Sequence, residues 1–287
     1  MQSPHSSEPG SLVIEDNRTP APDTPETTEK TPLSKESKRK IISVLSAVIV
    51  ATVLSFVYLD ISPYDTFAAF PAFGVFFATR FFPPNLSAIP QAMNLIIQTL
   101  FFAVVGTCVA TVLALFGGLL LSEKTNSISW LRIAFRSLLS LIRNIPTLVW
   151  VSLLIFVFGI GSMVGLLAII LATLGFLSRS YAESLSEVAG DKIDALRAAG
   201  ASKIQIICHG VLPEFVPALI NWTLFTFELN LRASAILGMV GAGGIGLMIN
   251  THLRLFRYKS ALALIIVITA LILVTEFITN RLRGRLQ

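Results

Sequence analysis

Long apolar runs alternate along the chain with short charged segments. A helix needs about 20 apolar residues to cross the hydrocarbon core of a bilayer, and such runs fall at residues 41–59, 95–121, 138–158, 163–177, 215–240 and 261–278. The fourth is short, but helical continuation through Arg179 to Ala182 lengthens it as the chain leaves the membrane. The pattern predicts an all-α integral membrane protein with six transmembrane helices. In the third run, Arg143-Asn144-Ile145-Pro146 places a proline that frees the Ile142 carbonyl, so a kink is expected there, as a packing feature or a gating hinge.

A further stretch, 66–82, carries Phe67, Phe70, Phe73, Phe77 and Phe81 at spacings of three and four, the period of an amphipathic helix. Pro71 is expected to interrupt it, and Pro83 and Pro84 stop it. It reads as a seventh span or as a helix lying in the interface. Charge separates the two. With six spans and both termini cytoplasmic, 13 lysines and arginines flank the inner side, against Arg80, Arg254, Arg257 and Lys259 outside. A seventh span would carry the basic N-terminal flank across, so the positive-inside bias favours six, with 60–92 an outer interfacial segment.

Composition agrees, and it divides the chain. Of 287 residues, 54% are hydrophobic and 14% charged, whereas a soluble domain carries about 25% charged residues. Residues 1–40 are the exception, with seven of the 17 acids, six of the 14 prolines and no aromatic residue. Such a segment buries too little apolar area to offset its ordering entropy, which predicts a disordered cytoplasmic leader. The first transmembrane helix, 41–59, is then a retained anchor, being longer than the roughly 7–15 apolar residues of a signal peptide. The net charge of +5 belongs to the membrane part and sets orientation, with no nucleic acid implied. Cys108, Cys208, His5, His209 and His252 are too scattered for a disulfide framework, and no metal site is expected.

The one long cytoplasmic loop, 184–213, is neither low-complexity nor rich in proline, so it should have structure of its own. Residues 191–199 are good helix formers, Gly200 suits a helix end, and Ser202 can cap a second short helix, 203–208, before Leu212-Pro213 opens the next span. The loop resembles the signature loop of ABC-importer permeases, in which an E-A-A triplet is followed by three residues, Gly and a later I-x-L-P. Here these are Asp194-Ala195-Leu196, Gly200 and Gly210-Val211-Leu212-Pro213, with three departures: Asp for Glu, Leu for the second Ala and Gly for Ile. The resemblance implies a coupling helix that docks into a cytoplasmic ATPase through Asp194, Ala195, Gly200, Ala201, Leu212 and Pro213. ATP and Mg are then used by that partner, and this chain is no enzyme and binds no cofactor itself.

The fifth run contains Asn221, Glu228, Asn230, Arg232 and Ser234. Charges at mid-membrane cost about 2.5–3.5 kcal/mol each on insertion scales and demand partners. At 100° per residue, Asn221, Glu228 and Arg232 share a stripe, and Asn230 and Ser234 lie opposite, so the helix must sit inside a bundle. Glu228 and Arg232 are spaced i, i+4 and can neutralise each other. In the other reading, Arg232 with Arg143 lines a translocation pathway for an anionic solute, its planar fork suiting phosphate-like oxygens. The glycine run that follows matches G-x-G-x-x-G at Gly241, Gly243 and Gly246. No βαβ unit surrounds it, so with Gly244 it is read as close packing or a hinge at the pore mouth, and Pro146 as its counterpart.

Arg143-Asn-Ile-Pro146, Gly210-Val-Leu-Pro213, Phe227-Glu-Leu-Asn-Leu-Arg232 and the glycine run together resemble the permease subunit of phosphonate ABC importers, a family that includes phosphite systems. The resemblance implies a type I ABC-importer permease fold over 93–287 in a bacterial inner (plasma) membrane. It also implies a second permease copy, identical or closely related, two ATPase subunits and an extracytoplasmic solute-binding protein. The alternatives are a permease for an amino acid or osmolyte, and an ion-coupled secondary transporter. The second would show repeated halves with paired broken helices and no docking loop.

Overall fold

The computed structural model describes residues 35–123, 125–126, 128–187 and 190–285. The leader ahead of residue 35, and Lys124 among the counted bases, lie outside the described residues. Every regular element among the described residues is a helix. The chain divides into two units, to Ala69 and from Phe70.

In the first unit, α1 (Lys35–Tyr58) begins earlier than the composition suggested: residues 35–40 form its first turns. Its apolar side chains are exposed on every side, as suits a helix solvated by lipid. Its hydroxyls do not break that surface. Thr52 and Ser55 donate to the carbonyls of Val48 and Ala51 at 2.8 Å, which matches those two hydroxyls within the helix. α2 (Pro63–Phe81) starts in this unit and runs on through Pro71, where an interruption was expected; the helix tolerates the one ladder bond that proline removes.

The second unit holds α3 (Ala88–Leu121), α4 (Ser129–Asn144), α5 (Thr147–Phe158), α6 (Ser162–Glu187), α7 (Gly190–Ala198), α8 (Lys203–Ile206), α9 (Leu212–Leu237), α10 (Ile245–Arg254) and α11 (Tyr258–Arg283). Single π-helical turns, Ile207–Val211 and Gly238–Ala242, flank α9. Five helices are long and apolar enough to cross a membrane: α1, α3, α6, the continuous run Lys203–Ala242 and α11. The pair α4 and α5 makes a sixth if counted as one bent span, and α2 is not among them.

That bent pair corrects the third expected span. The helix does not merely kink at Pro146; it breaks, and the two halves meet at 90°. Two physical reasons act together. Arg132, Arg136, Ser140 and Arg143 follow one another at four, four and three residues, giving α4 a charged stripe that a lipid-crossing helix cannot carry unpaired. Pro146 then deprives the Ile142 carbonyl of its helix partner, and the Trp150 indole donates to that carbonyl at 3.2 Å. α5 alone, at 12 residues, is about 18 Å long, short of the ~30 Å core.

The core of this unit is the packing of α3, α6 and α9. Along α3 most buried residues are small or short, among them Thr99, Ala103, Gly106, Thr107, Ala110, Ala114, Gly117 and Gly118, with Ile96, Phe102 and Leu121 the larger ones. Lipid supplies no hydrophobic drive between helices, so close van der Waals approach along such a seam holds them. Larger side chains close its end nearest the coupling loop, where Leu177, Tyr181, Leu185, Ile193, Val211 and Phe215 form one buried cluster.

Candidate functional site

Three neighbouring regions carry the polar chemistry: the α7–α8 loop, the two faces of α9, and the break between α4 and α5.

In the loop, α7 ends as its sequence suggests. Gly200 has φ +81°, and the amides of Gly200 and Ala201 donate back to Arg197 and Leu196, each at 3.0 Å. This left-handed cap satisfies the last carbonyls of α7 and turns the chain sharply. Ser202 and Gln205 then form a reciprocal capping box at the start of α8. The second short helix is not separate, as had been expected. It runs through the π turn into α9, so the loop joins the membrane span by continuous helix. Ile193 anchors α7 in the core cluster, while Asp194, Ala195 and Gly200 are exposed and Asp194 pairs with Arg197 at 3.1 Å. Ala201 is half-buried; Leu212 and Pro213 form the first turn of α9.

On α9 the two polar faces have different partners. Asn230 donates to Thr107 of α3 at 2.9 Å and accepts from Thr173 of α6 at 3.0 Å. Ser234 donates to the Asn230 carbonyl, and both are buried. Asn230, expected along the pathway, thus ties α9 to α3 and α6, and Ser234 matches its hydroxyl within α9: in the membrane each hydroxyl and amide must find a protein partner. Asn230→Ala should therefore lower stability by about 1–2 kcal/mol, read as earlier thermal unfolding of the detergent-solubilised chain.

The opposite face corrects the expected Glu228–Arg232 pair. Buried Glu228 accepts hydrogen bonds from Thr279 and Arg283 of α11, and Arg232 pairs with Glu276 of α11 at 2.8 Å. An i, i+4 pair is held to one helix surface, whereas the neighbouring helix offers both charges closer partners. Arg232 keeps 46% of its side chain exposed and Asn221 is exposed, so these two remain available on this stripe. Arg143 is not brought beside Arg232. It lines a cavity of about 570 Å³ between α4 and α6, with Arg136, Ser140, Arg179 and Glu183.

The glycine run turns the chain back on itself. Gly241, Gly243 and Gly244 have φ of +106°, +89° and +71°, values that L side chains resist, and Gly246 lies so close to the Ala235 carbonyl that a β-carbon has no room. α10 then returns along the end of α9. Its first amides are capped from α3: Gly244 donates to Gln98 at 3.0 Å and Ile245 to Thr99 at 2.8 Å. On α10, burial pushes the His252 imidazole below the usual histidine range, and the Arg257 cation adds to this.

Residues 110–287 match the family model described as the binding-protein-dependent transport system inner membrane component. The chain belongs to this permease family. Among relatives, it is 31% identical over 245 residues to the phosphate-import permease protein PhnE of Mycolicibacterium smegmatis, covering 84% of this chain and 46% of that one. It therefore spans about half the length of that relative. It is also 31% identical over 201 residues to the phosphite transport system permease protein PtxC of Stutzerimonas stutzeri, covering 70% and 73%. The fold matches that of the inward-facing MetNI methionine ABC transporter, with a TM-score of 0.61 over 68% of this chain and 96% of that one, at 22% identity. The permease is thus a multi-pass inner-membrane transport subunit rather than an enzyme. The family implies an ATPase and a solute-binding protein as partners.

Two departures from the permease loop signature compensate each other. Gly210 stands where that pattern has isoleucine, and a β-carbon on it would lie 2.8 Å from the Leu196 side chain. Leu196 itself stands where the pattern has alanine, so one large side chain fills the same gap from the other wall. The sequence reading missed Gln98, Thr99 and Trp150. Their signal was faint: polar or amphipathic residues in apolar runs, each opposite a backbone group that a glycine or proline leaves open.

Proposed function

We propose that the chain is the membrane-spanning subunit of an ATP-driven importer for phosphonate or a related phosphorus oxyanion, received from a solute-binding protein. The observation that carries this reading is its kinship, over 70–84% of its length, with permeases named for phosphate and phosphite. A membrane-embedded arginine whose fork is only partly engaged by Glu276 supports it, because the remaining N–H groups suit oxyanion oxygens. Two permease copies enclose the pathway, which Asn221 and Arg232 line. Both termini are cytoplasmic, consistent with the basic ends of the spans. The exposed face of α7 docks an ATPase, with ATP and Mg bound there. Pro146 and the turn at Gly241, Gly243, Gly244 and Gly246 are the points where the pathway helices pivot.

Phosphorus-limited growth tests the substrate. A strain lacking this gene should grow on phosphate through other systems yet fail on methylphosphonate or phosphite, and the gene should restore growth. Restoration by Arg232→Gln as complete as by the native gene removes the arginine from the pathway. Growth unaffected on every phosphorus source, with loss of uptake of an amino acid or osmolyte, establishes the competing substrate reading.

A further inference from the structure

The cavity between α4 and α6 is set apart by its charge. Arg136, Ser140 and Arg143 succeed one another on one face of α4, and Arg179, Glu183 and Glu187 face them from α6, so three arginines meet two carboxylates. The helices cross closely because position 175 is glycine: a β-carbon there would lie 2.9 Å from the Arg143 β-carbon and 3.1 Å from the Leu139 carbonyl. Arg143 lies half-buried beside that crossing. Arg179 is already matched, donating to Glu183 at 2.7 Å. Among the described residues, Arg136 and Arg143 have neither an ion pair nor a hydrogen bond. Arg136 is exposed and Arg143 half-buried, and two like charges on one face repel unless an anion lies between them.

We infer that this groove binds a tetrahedral phosphorus oxyanion, free or as a lipid headgroup, on the same side of the membrane as the coupling loop. The choice of phosphorus among tetrahedral anions rests on the transport function proposed above. Two guanidinium forks about two helical turns apart on one face can each donate a pair of hydrogen bonds to such a group, with the Ser140 hydroxyl between them. The site differs from the Arg232 pathway because it lies between α4 and α6, whereas Arg232 is engaged with α11. α6 continues from the groove toward α7, so an occupant bridging α4 and α6 sits at the root of the coupling loop.

The test uses the full chain in nanodiscs of phosphatidylcholine, with equilibrium dialysis against labelled inorganic phosphate. Saturable binding is expected, weakened at least about tenfold in Arg136→Gln/Arg143→Gln, the loss of charged hydrogen bonds, and unchanged in Arg254→Gln. Arg136→Lys/Arg143→Lys, which keeps the charges and loses the forks, should fall between and excludes misfolding as the cause. A second arm omits phosphate and adds phosphatidylglycerol. If that lipid is retained through both arginines and displaces phosphate, the occupant is a headgroup. No retention of either ligand, or a Gln pair that binds as tightly as the native chain, overturns the inference. Methylphosphonate uptake by the assembled importer is measured in parallel. Uptake without groove binding removes only the groove, and groove binding without uptake of any phosphorus compound removes only the proposed substrate.

Discussion

Glu228→Ala is expected to lower the stability of the folded chain by about 3 kcal/mol, the lower end of the range for breaking a buried ion pair. The reason is what it leaves behind. Glu228 is buried on α9 and accepts from Thr279 and from Nη2 of Arg283 of α11, while the buried Arg283 Nε has no partner. Removing the carboxylate strands a guanidinium whose side chain is only 21% exposed. That guanidinium lies in the last turn of α11, and its long stem can carry the charge toward the interface, which keeps the loss from reaching the top of the range. Glu228→Ala/Arg283→Ala should recover much of the deficit, since it removes the stranded charge with its partner. Thermal unfolding of the four proteins in detergent provides the cycle, and a double variant no better than the sum of the singles speaks against the pairing.

The second rung of the same ladder behaves differently. Arg232 and Glu276 meet at 2.8 Å, but their side chains are 46% and 40% exposed, and such pairs contribute little to stability. Arg232→Gln is therefore a functional probe that leaves the fold largely intact, while Glu228→Ala is a structural one. Two charges four residues apart on one helix thus serve separate ends, because one is sealed against α11 and the other keeps an open side.

The six apolar runs and the loop between the fourth and fifth were legible in the sequence because both follow from local chemistry: run length for a span, and a glycine with a serine two residues on for a helix end and a new start. What was not legible depends on partners far along the chain. Glu228 and Arg232 satisfy a local pairing rule perfectly well, and only the approach of α11 offers them better partners. Asn230 and Ser234 read as pathway residues because polarity in a span suggests water; that Thr107 and Thr173 partner Asn230, and the Asn230 carbonyl partners Ser234, is visible only in the fold. The break at Pro146 was foreseen as a kink. The arginine stripe on α4 held the stronger message, but an apolar window beginning at Leu138 passed over its period.

Gly200→Val is expected to reduce uptake by roughly 5–30-fold with little change in the unfolding temperature. Gly200 has φ +81°, where a β-branched residue is strained by about 1–3 kcal/mol, and a change of one to two kcal/mol shifts a two-state population by that factor. The strain falls on the loop alone: Gly200 is exposed, and no atom lies within 4 Å of its added β-carbon. The chain relieves it by opening the cap, which releases the Ala201–Leu196 and Gly200–Arg197 hydrogen bonds and lets α7 swing relative to α8. α8 is continuous with α9, so a fixed angle at Gly200 is what allows a push on α7 to reach the span; a loosened joint absorbs it. Gly200→Asn, which enters the left-handed region more readily, should retain most of the uptake, and Gly200→Ala should fall between. Co-purification of the ATPase partner separates docking from transmission: loss of uptake with the partner still bound locates the fault in the joint. Full uptake by Gly200→Val would show that α7 needs no fixed angle to do its work.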